Sequence, residues 1–560
     1  MKTVIMTEVN LFVKSQTKYL ENHLKDREEI KDEYIIAKLV RTMQHQDLGW
    51  LAEFQVEANS NEKIRKGEWL LSRTLGKGIV CEADSNMFTL CTSKIWSSDK
   101  VMSLSRCRPS EWYLIGAIGD IRNYEGAQKT LREILLGKKK ACLPDRISEC
   151  IFFDQKLDES QQEAVNMALV APFLFLHGPA GSGKTVTLIE VIRQHIKMKV
   201  KILVVTPTHI ATDNILGRLL ELGQTNLVRL GHPANSSYPE FTLDNVCRKQ
   251  NKSKKTVLHQ SSVVLSTLAG CLQKISSMKR DHFGLTIVEE AGQPLEALVW
   301  TIVKYSVRLI LAGDFKQLGP TLMTADGEIK RILGTSIIQR ISNQGIGPCV
   351  MLKVQYRMAA LIAEWPNQQF YDGKLKTAEK ISSLSVISLP KIMVWRLPSV
   401  KNLFLVDTNG TQREGKVQSG NTHYVHNPKE AASVAKLAKQ LLRSGIQPEM
   451  LGIVSFYSKQ VGLLEKLIKT TIYKGVEVKT IDGFQGREKE ILLVSMVRSN
   501  PEHEIGFLKD SRRWNVAVTR AKRLLVVVGD VSTFLKEETF KSFFEYMKLN
   551  GDIRIFGRKM

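Results

Sequence analysis

Apolar residues recur at three, four and seven residue intervals near the start of the chain, where Val9, Phe12, Val13, Leu20 and Leu24 stand among Lys, Glu and Asp. That period predicts an amphipathic helix with a solvated polar face. From Trp50 to Ala58 the period drops to two: Trp50, Ala52, Phe54, Val56 and Ala58 face one way, and Glu53, Gln55 and Glu57 the other. This is the pattern of a half-buried strand. Short strand-like runs punctuated by Gly67, Gly76 and Gly78 continue to about Ile118 and predict a small β-barrel. Helical spacing returns over Ile121 to Leu136, ahead of Lys138-Lys139-Lys140, a basic run that reads either as an exposed hinge or as a phosphate contact.

Beyond about residue 150 the pattern changes again. Short, wholly apolar runs (Phe173 to Leu176, Ile202 to Val205, Val263 to Leu265, Leu285 to Val288, Leu309 to Ala312) alternate with helical stretches. Strands buried on both faces have this composition, which predicts a parallel sheet with helices on each side. A second set follows at Leu403 to Val406, Gly452 to Val454, Ile491 to Val494 and Leu524 to Val528. Two α/β domains in tandem are therefore expected. Lys249, Lys252, Lys254 and Lys255 suggest a basic, mobile loop inside the first.

Composition narrows the partner class. The 560 residues carry 80 Lys plus Arg against 57 Asp plus Glu, a net charge of +23 that makes a polyanion such as nucleic acid the first partner to consider. No apolar run is long enough to span a membrane, and Met1 to Lys14 has no secretory signal pattern. The eight cysteines contain no C-x-x-C pair, so no structural zinc is expected and the thiols read as reduced and intracellular.

Gly178-Pro179-Ala180-Gly181-Ser182-Gly183-Lys184-Thr185 fits the phosphate-binding pattern G-x-x-x-x-G-K-[ST], placed between an expected strand and an expected helix. Its glycines let backbone amides wrap phosphates, the helix N-terminus adds its positive end, Lys184 offsets phosphate charge and the Thr185 hydroxyl reaches a magnesium ion. About a hundred residues on, the run Leu285 to Val288 ends in Glu289-Glu290, where one carboxylate can hold the metal and the other can activate water. Gln317 follows another strand end. Arg357 and Arg520 each stand in a mostly uncharged neighbourhood, as phosphoryl-stabilising or as ordinary ion-pairing arginines.

The ordered set of motifs resembles superfamily 1 (subclass B) DNA and RNA helicases, the group that includes the nonsense-mediated decay helicase. The resemblance rests on Leu157 to Gln161, the P-loop, Val228 to Pro233, Glu289 to Gln293, Gly313 to Leu318, Gln355 to Met358, Asp482 to Lys489 and Arg512 to Lys522. It implies two tandem RecA-like P-loop domains with parallel sheets, preceded by a helical stalk and a small β-barrel. The corresponding divisions are 1–48 (stalk), 49–118 (barrel), 119–149 (returning stalk helix and hinge), 150–345 (first RecA-like domain, with a short basic insertion near 234–262) and 346–560 (second).

The resemblance also implies roles. Gln161 would read adenine; Gly178, Gly181, Ser182, Gly183, Lys184 and Thr185 would bind phosphates; and Thr185 with Glu289 would hold Mg²⁺. Glu290 would orient the attacking water, and Gln317, Arg357, Gly486 and Arg520 would line the γ-phosphate. Tyr356 would stack on adenine and Glu488 would hold the ribose. Pro207, Thr208, Thr267 and Thr480 would touch the sugar-phosphate backbone of nucleic acid. Departures from the family pattern are Glu289 for the usual Asp, Gly319 for the first of paired prolines, Ala359-Ala360 after the Arg357 motif, Ala180 and Ser182 in the P-loop, and Thr208-His209 for Ser-Asn.

The function these observations lead to is an ATP-dependent helicase or translocase with ATP and Mg²⁺ as cofactors, acting on single-stranded DNA or RNA, 5′ to 3′ by the resemblance. It would work as a monomer, away from membranes, in nucleus or cytoplasm. The alternative is an ATP-gated nucleic-acid clamp with weak or no hydrolysis.

Overall fold

The computed structural model describes residues 13, 16, 17, 19, 34–45, 49–56, 69–72, 76–84, 87–92, 101–106, 118, 120–144, 150–271, 274–275, 278–322, 326–419, 422–468 and 474–556. Of the expected first helix, Val9, Phe12, Leu20 and Leu24 lie outside the described residues; Val13 and Tyr19 are helical and buried.

The two-residue alternation runs along β2 (Gly49–Val56), one of six strands with β1 (Tyr34–His45), β3 (Trp69–Ser72), β4 (Gly76–Ala83), β5 (Met87–Thr92) and β6 (Val101–Arg106). They close into a barrel in the order β1-β2-β5-β4-β3-β6. Ala37, Ala52, Phe54, Val80, Phe88 and Leu90 fill it. Phe54 and Phe88, paired across β2 and β5, stack at 5.1 Å, and burying two such rings contributes roughly 2 to 3 kcal/mol apiece. Register shifts at Leu39/Arg41 and Val80/Glu82 supply the bends that closure of so small a sheet requires. The stalk boundary expected at residue 48 is displaced. The β-branched, aromatic start of β1 (Tyr34-Ile35-Ile36) pairs with β6, and β2 takes up the strand from Ala37 to His45, so residues 34–45 belong to the barrel.

The first α/β sheet contains β7 (Phe173–His177), β8 (Ile202–Thr206), β9 (Leu227–Leu230), β10 (Val263–Thr267), β11 (Phe283–Val288), β12 (Ser306–Gly313) and β13 (Cys349–Met351), in the order β13-β7-β12-β11-β8-β10-β9. The ladders among β7 to β12 are parallel, with Leu285 opposite Ile202 and Leu311 opposite Phe175. Buried positions run almost unbroken along these strands, because helices cover both faces. The basic segment expected to be a mobile loop is two short helices, Leu243–Gln250 and Lys254–Gln260. Asn251 turns left-handed (φ 49°) between them, and the Ser253 hydroxyl accepts the Thr256 N–H to start the second.

A two-stranded parallel ribbon, β14 (Val354–Gln355) with β15 (Lys376–Thr377), precedes the second sheet. That sheet contains β16 (Leu403–Asp407), β19 (Leu451–Ser455), β20 (Glu477–Thr480), β21 (Lys489–Ser495), β22 (Ala521–Gly529) and β23 (Asp552–Ile555), with β17 (Gly415–Ser419) and β18 (Thr422–His426) forming a separate hairpin. Its order is β20-β19-β21-β22-β16-β23, and every ladder is parallel. The chain divides into two compact units: 1–177, 185–315 and 319–350 in one, and 178–184, 316–318 and 351–560 in the other.

Candidate active site

In the first unit, β11 delivers Glu289 and Glu290 at its carboxyl end. The Glu289 N–H donates to the Val205 carbonyl at 2.8 Å, and its carboxylate, 5% exposed, accepts the Thr185 hydroxyl at 3.1 Å. The metal pair expected from the sequence is thus brought together. Glu290 is left-handed (φ 53°), a conformation costing a non-glycine residue on the order of 1 kcal/mol or more. Gln293 Nε2 donates to its carboxylate at 3.3 Å. Two strand ends away, His177 Nε2 lies 3.1 Å from Asp314 Oδ1, both buried. No spacing motif marks that pair.

The P-loop, Gly178–Lys184, groups with the second unit. Gly181 and Gly183 both take φ 76°, which only glycine adopts without strain. Ser182 donates its N–H and hydroxyl to the Pro179 carbonyl, at 3.2 and 2.8 Å, and so closes the loop on itself. A Cβ on Gly181 would fall 2.6 Å from Arg357 Cβ, and the Tyr356 N–H donates to the Gly181 carbonyl at 2.8 Å. Behind Arg357, buried Gln355 fixes the turn: its Oε1 accepts the Arg357 and Met358 N–H groups at 3.0 and 2.9 Å.

Arg520 follows the helix Ser511–Val518, which Trp514 anchors with its ring 5.1 Å from Phe540 and 4.9 Å from Phe543. The Arg520 guanidinium is 3% exposed; Nη2 donates to Gln317 Oε1 at 2.8 Å and Nε to the Val516 carbonyl at 3.0 Å. Arg357 is ion-paired with Glu488, whose other oxygen is 2.9 Å from Lys522 Nζ. Burial opposes the Glu488 charge, but Arg357 and Lys522 outweigh it and hold the carboxyl below the usual carboxylate range. Gly486 is exposed, with φ 76°.

The remaining expected residues stand at element ends. Gln161 completes a capping box, its Oε1 accepting the Asp158 N–H at 3.1 Å. Pro207 is half-buried just past β8, and the Thr208 hydroxyl accepts the Ala211 N–H at 3.2 Å. Thr267 and Thr480 end β10 and β20 and accept the Gly270 and Gly483 N–H groups at 3.1 and 3.2 Å. In the Val228 to Pro233 motif, Arg229 is fully buried and donates to Asp213 at 2.6 Å and to the Asn235 carbonyl at 2.9 Å. Its work is to hold the turn after β9.

Two parallel sheets, one opening into a P-loop and an acidic strand end and the other edged with arginines, define a tandem RecA-like P-loop protein. Residues 156–255 and 241–325 match one AAA domain family and 333–532 match a second. DNA polymerase alpha-associated DNA helicase A of Saccharomyces cerevisiae is 32% identical over 477 residues, covering 72% of this chain and 69% of that protein. The chain belongs to its family, the superfamily 1 (subclass B) helicases. DNA-binding protein SMUBP-2 of Rattus norvegicus is 31% identical over 484 residues, covering 77% of this chain. The chain spans about half the length of that relative, 48%. ATP-dependent helicase NAM7 of Saccharomyces cerevisiae is 28% identical over 441 residues, covering 71% of this chain and 44% of that protein. A crystal structure of Arterivirus nonstructural protein 10 (helicase) aligns with 91% of this chain and 79% of its own at 12% identity and a TM-score of 0.41, too slight a likeness to bear on the assignment.

Proposed function

We propose that this chain is an ATP-dependent helicase or translocase, moving 5′ to 3′ on single-stranded DNA or RNA. The observation that carries the reading is the P-loop threonine hydroxyl 3.1 Å from a buried strand-end carboxylate, in a chain whose relatives carry helicase names. Among the described residues no group of three or more His, Cys, Asp or Glu forms a metal cage. Thr185 and Glu289, with hydroxyl and carboxylate 3.1 Å apart, offer oxygen ligands that would hold Mg²⁺ together with phosphate oxygens and water, the usual arrangement for so small and strongly hydrated a cation. When bound it neutralises charge on the β- and γ-phosphates.

The chain's own groups do the rest. Backbone amides of Gly178, Gly181, Ser182 and Gly183, with Lys184, bind the phosphates; Gln161, Tyr356 and Glu488 take the nucleoside. Glu290 orients a water for attack on the γ-phosphorus and receives its proton as the bond to the β–γ bridging oxygen breaks, giving ADP and phosphate. Gln317, Arg357, Arg520 and Gly486 meet the charge that develops on the γ-phosphoryl oxygens. The Gln317–Arg520 hydrogen bond supports pairing these two in one role. Pro207, Thr208, Thr267 and Thr480, all at carboxyl ends of strands, grip a single strand through sugar and phosphate, which permits stepping without sequence readout. We take the working unit to be a monomer inside the cell.

The test is steady-state ATP hydrolysis by wild type and Lys184→Ala, each alone and with matched single-stranded DNA or RNA. A strand that stimulates wild type but not the variant is expected. If wild type binds ATP and strand yet turns over no faster than the variant, the protein is an ATP-gated clamp, and Glu289→Asp is the substitution that should restore hydrolysis.

A further inference from the structure

Phe507 is 63% exposed, while Ile505 and Leu508 on either side of it are 1% exposed. The single turn Gly506–Lys509 anchors its neighbours and turns this one ring outward. Beneath it lies Tyr457, with ring centroids 5.7 Å apart. Gly506 is left-handed (φ 57°), and a Cβ there would sit 2.8 Å from the Tyr457 hydroxyl and 3.0 Å from Arg498 Nη1. The turn therefore rests closely on Tyr457 and Arg498.

That support is itself rigid. Arg498 is 5% exposed, its Nε 3.0 Å from Glu414 and its Nη2 donating to Glu504 at 3.3 Å. The preceding Val497 is β-branched yet left-handed (φ 71°), a conformation that persists only when its surroundings over-determine it. Here they do: the Val497 N–H donates to the buried Glu430 carboxyl at 2.9 Å, and its carbonyl accepts from buried Asn427 Nδ2 at 3.1 Å. Asn500 closes the next turn through Glu414 and Glu504. A chain of buried polar contacts thus runs from Glu430 through Val497 and Arg498 to the exposed ring.

Its place in the fold indicates what the ring meets. Tyr457 stands two residues beyond Ser455, the end of β19, which pairs with Thr480 at the end of β20. Lys459, Lys479 and Lys509 are exposed along these segments. Of the nearby acids, Asp510 and Asp482 face Arg512 and Arg513, Glu504 pairs with Arg498, and Glu502 is exposed. A single aromatic face backed by protein and accompanied by lysines is the arrangement by which proteins hold single strands, bases on the ring and phosphates on the ammonium groups. One isolated ring is too small an apolar area to dock a folded protein.

We propose that Phe507 is a stacking platform for a base of single-stranded nucleic acid at the carboxyl edge of the second sheet. The inference rests on the nucleic-acid reading above and adds to it a contact to the base, where the threonine contacts are to the backbone. The experiment compares wild type, Phe507→Ala and Phe507→Trp for binding to oligothymidylate, oligouridylate and abasic sugar-phosphate strands of equal length. Phe507→Ala is expected to weaken binding to a base-bearing strand about tenfold while leaving abasic binding and the salt slope unchanged. Phe507→Trp should retain affinity and show indole fluorescence quenched by the base-bearing strand alone. Equal affinity of wild type and Phe507→Ala for base-bearing strands, or equal loss on abasic ones, would overturn the proposal. Wild type that binds no strand at all would instead remove the nucleic-acid reading beneath it.

Discussion

The two parallel sheets share one architecture and finish their carboxyl edges by different means. At the first, charge is handled by backbone and carboxylate: β7 leads into the glycines of the P-loop, and β11 ends in Glu289 and the left-handed Glu290. At the second, the turn after β16 holds left-handed Gly410 and the turn after β20 left-handed Gly486, without a second G-x-x-x-x-G-K-[ST] run. The guanidinium groups of the second unit stand elsewhere, Arg357 after β14 and Arg520 at the amino end of β22, while the turn after β21 is held by buried side chains where a glycine would have made it without strain. A loop of amides is pre-shaped for an anion whether or not one is bound. An arginine must be aimed, and here Gln355 fixes the turn that carries Arg357 while Gln317 accepts from Arg520.

This contrast can be broken most forcefully at Arg520. Arg520→Ala is expected to lower kcat for ATP about a thousandfold while nucleotide affinity stays close to wild type, because the phosphate cradle is intact; fluorescent-nucleotide titration beside steady-state kinetics separates the two. Substantial turnover in the variant would remove the arginine from its role. A smaller effect concerns the basic surface. Single-strand affinity should fall about tenfold or more between 50 and 200 mM salt, with a linear log–log slope, and a flat response would detach the +23 charge from strand binding.

The smallest effect tests the buried side chains of the second sheet. Burial pushes the Glu430 carboxyl up to about 7 from 4.5, against the opposing hydrogen bonds from Ser495 and Val497. A raised carboxyl keeps its proton longer in the folded than in the unfolded chain. Stability therefore falls as pH rises from about 4.5 to about 7 and is flat above. Glu430→Gln should remove this slope, giving melting curves that match wild type near the lower limit and lie on the order of a few degrees higher above the upper. Parallel pH profiles would mean that Glu430 titrates normally.

Much of this molecule is legible in its sequence because parallel, doubly covered strands leave an unmistakable mark. The apolar runs Ile202 to Val205, Leu285 to Val288 and Leu524 to Val528 all fall within strands. The P-loop is equally plain, since its glycines are dictated by backbone conformation. What was hidden depends on tertiary partners. β1 could be taken for helix because its stability comes from β2 and β6. β20 and β23, with Lys479 and Arg554 on them, are edge strands whose mixed composition lacks the central pattern. Arg229 looked like one motif residue among several and is a buried anchor. The left-handed Val497 has no local signature, as nothing in Met496-Val497-Arg498 announces that Glu430 and Asn427, far upstream, will hold it. Phe507 and its neighbour Leu508 are both apolar, and it is the turn that exposes the one and buries the other.

The six barrel strands find all of their partners between Tyr34 and Arg106. During synthesis this part of the chain has everything it needs to close while the P-loop is still being assembled on the ribosome. Once closed it offers no unpaired strand rim to another nascent chain. The residues that come later, with their long wait for parallel partners such as β12 for β7 and β22 for β16, fold beside a module already protected against templated aggregation.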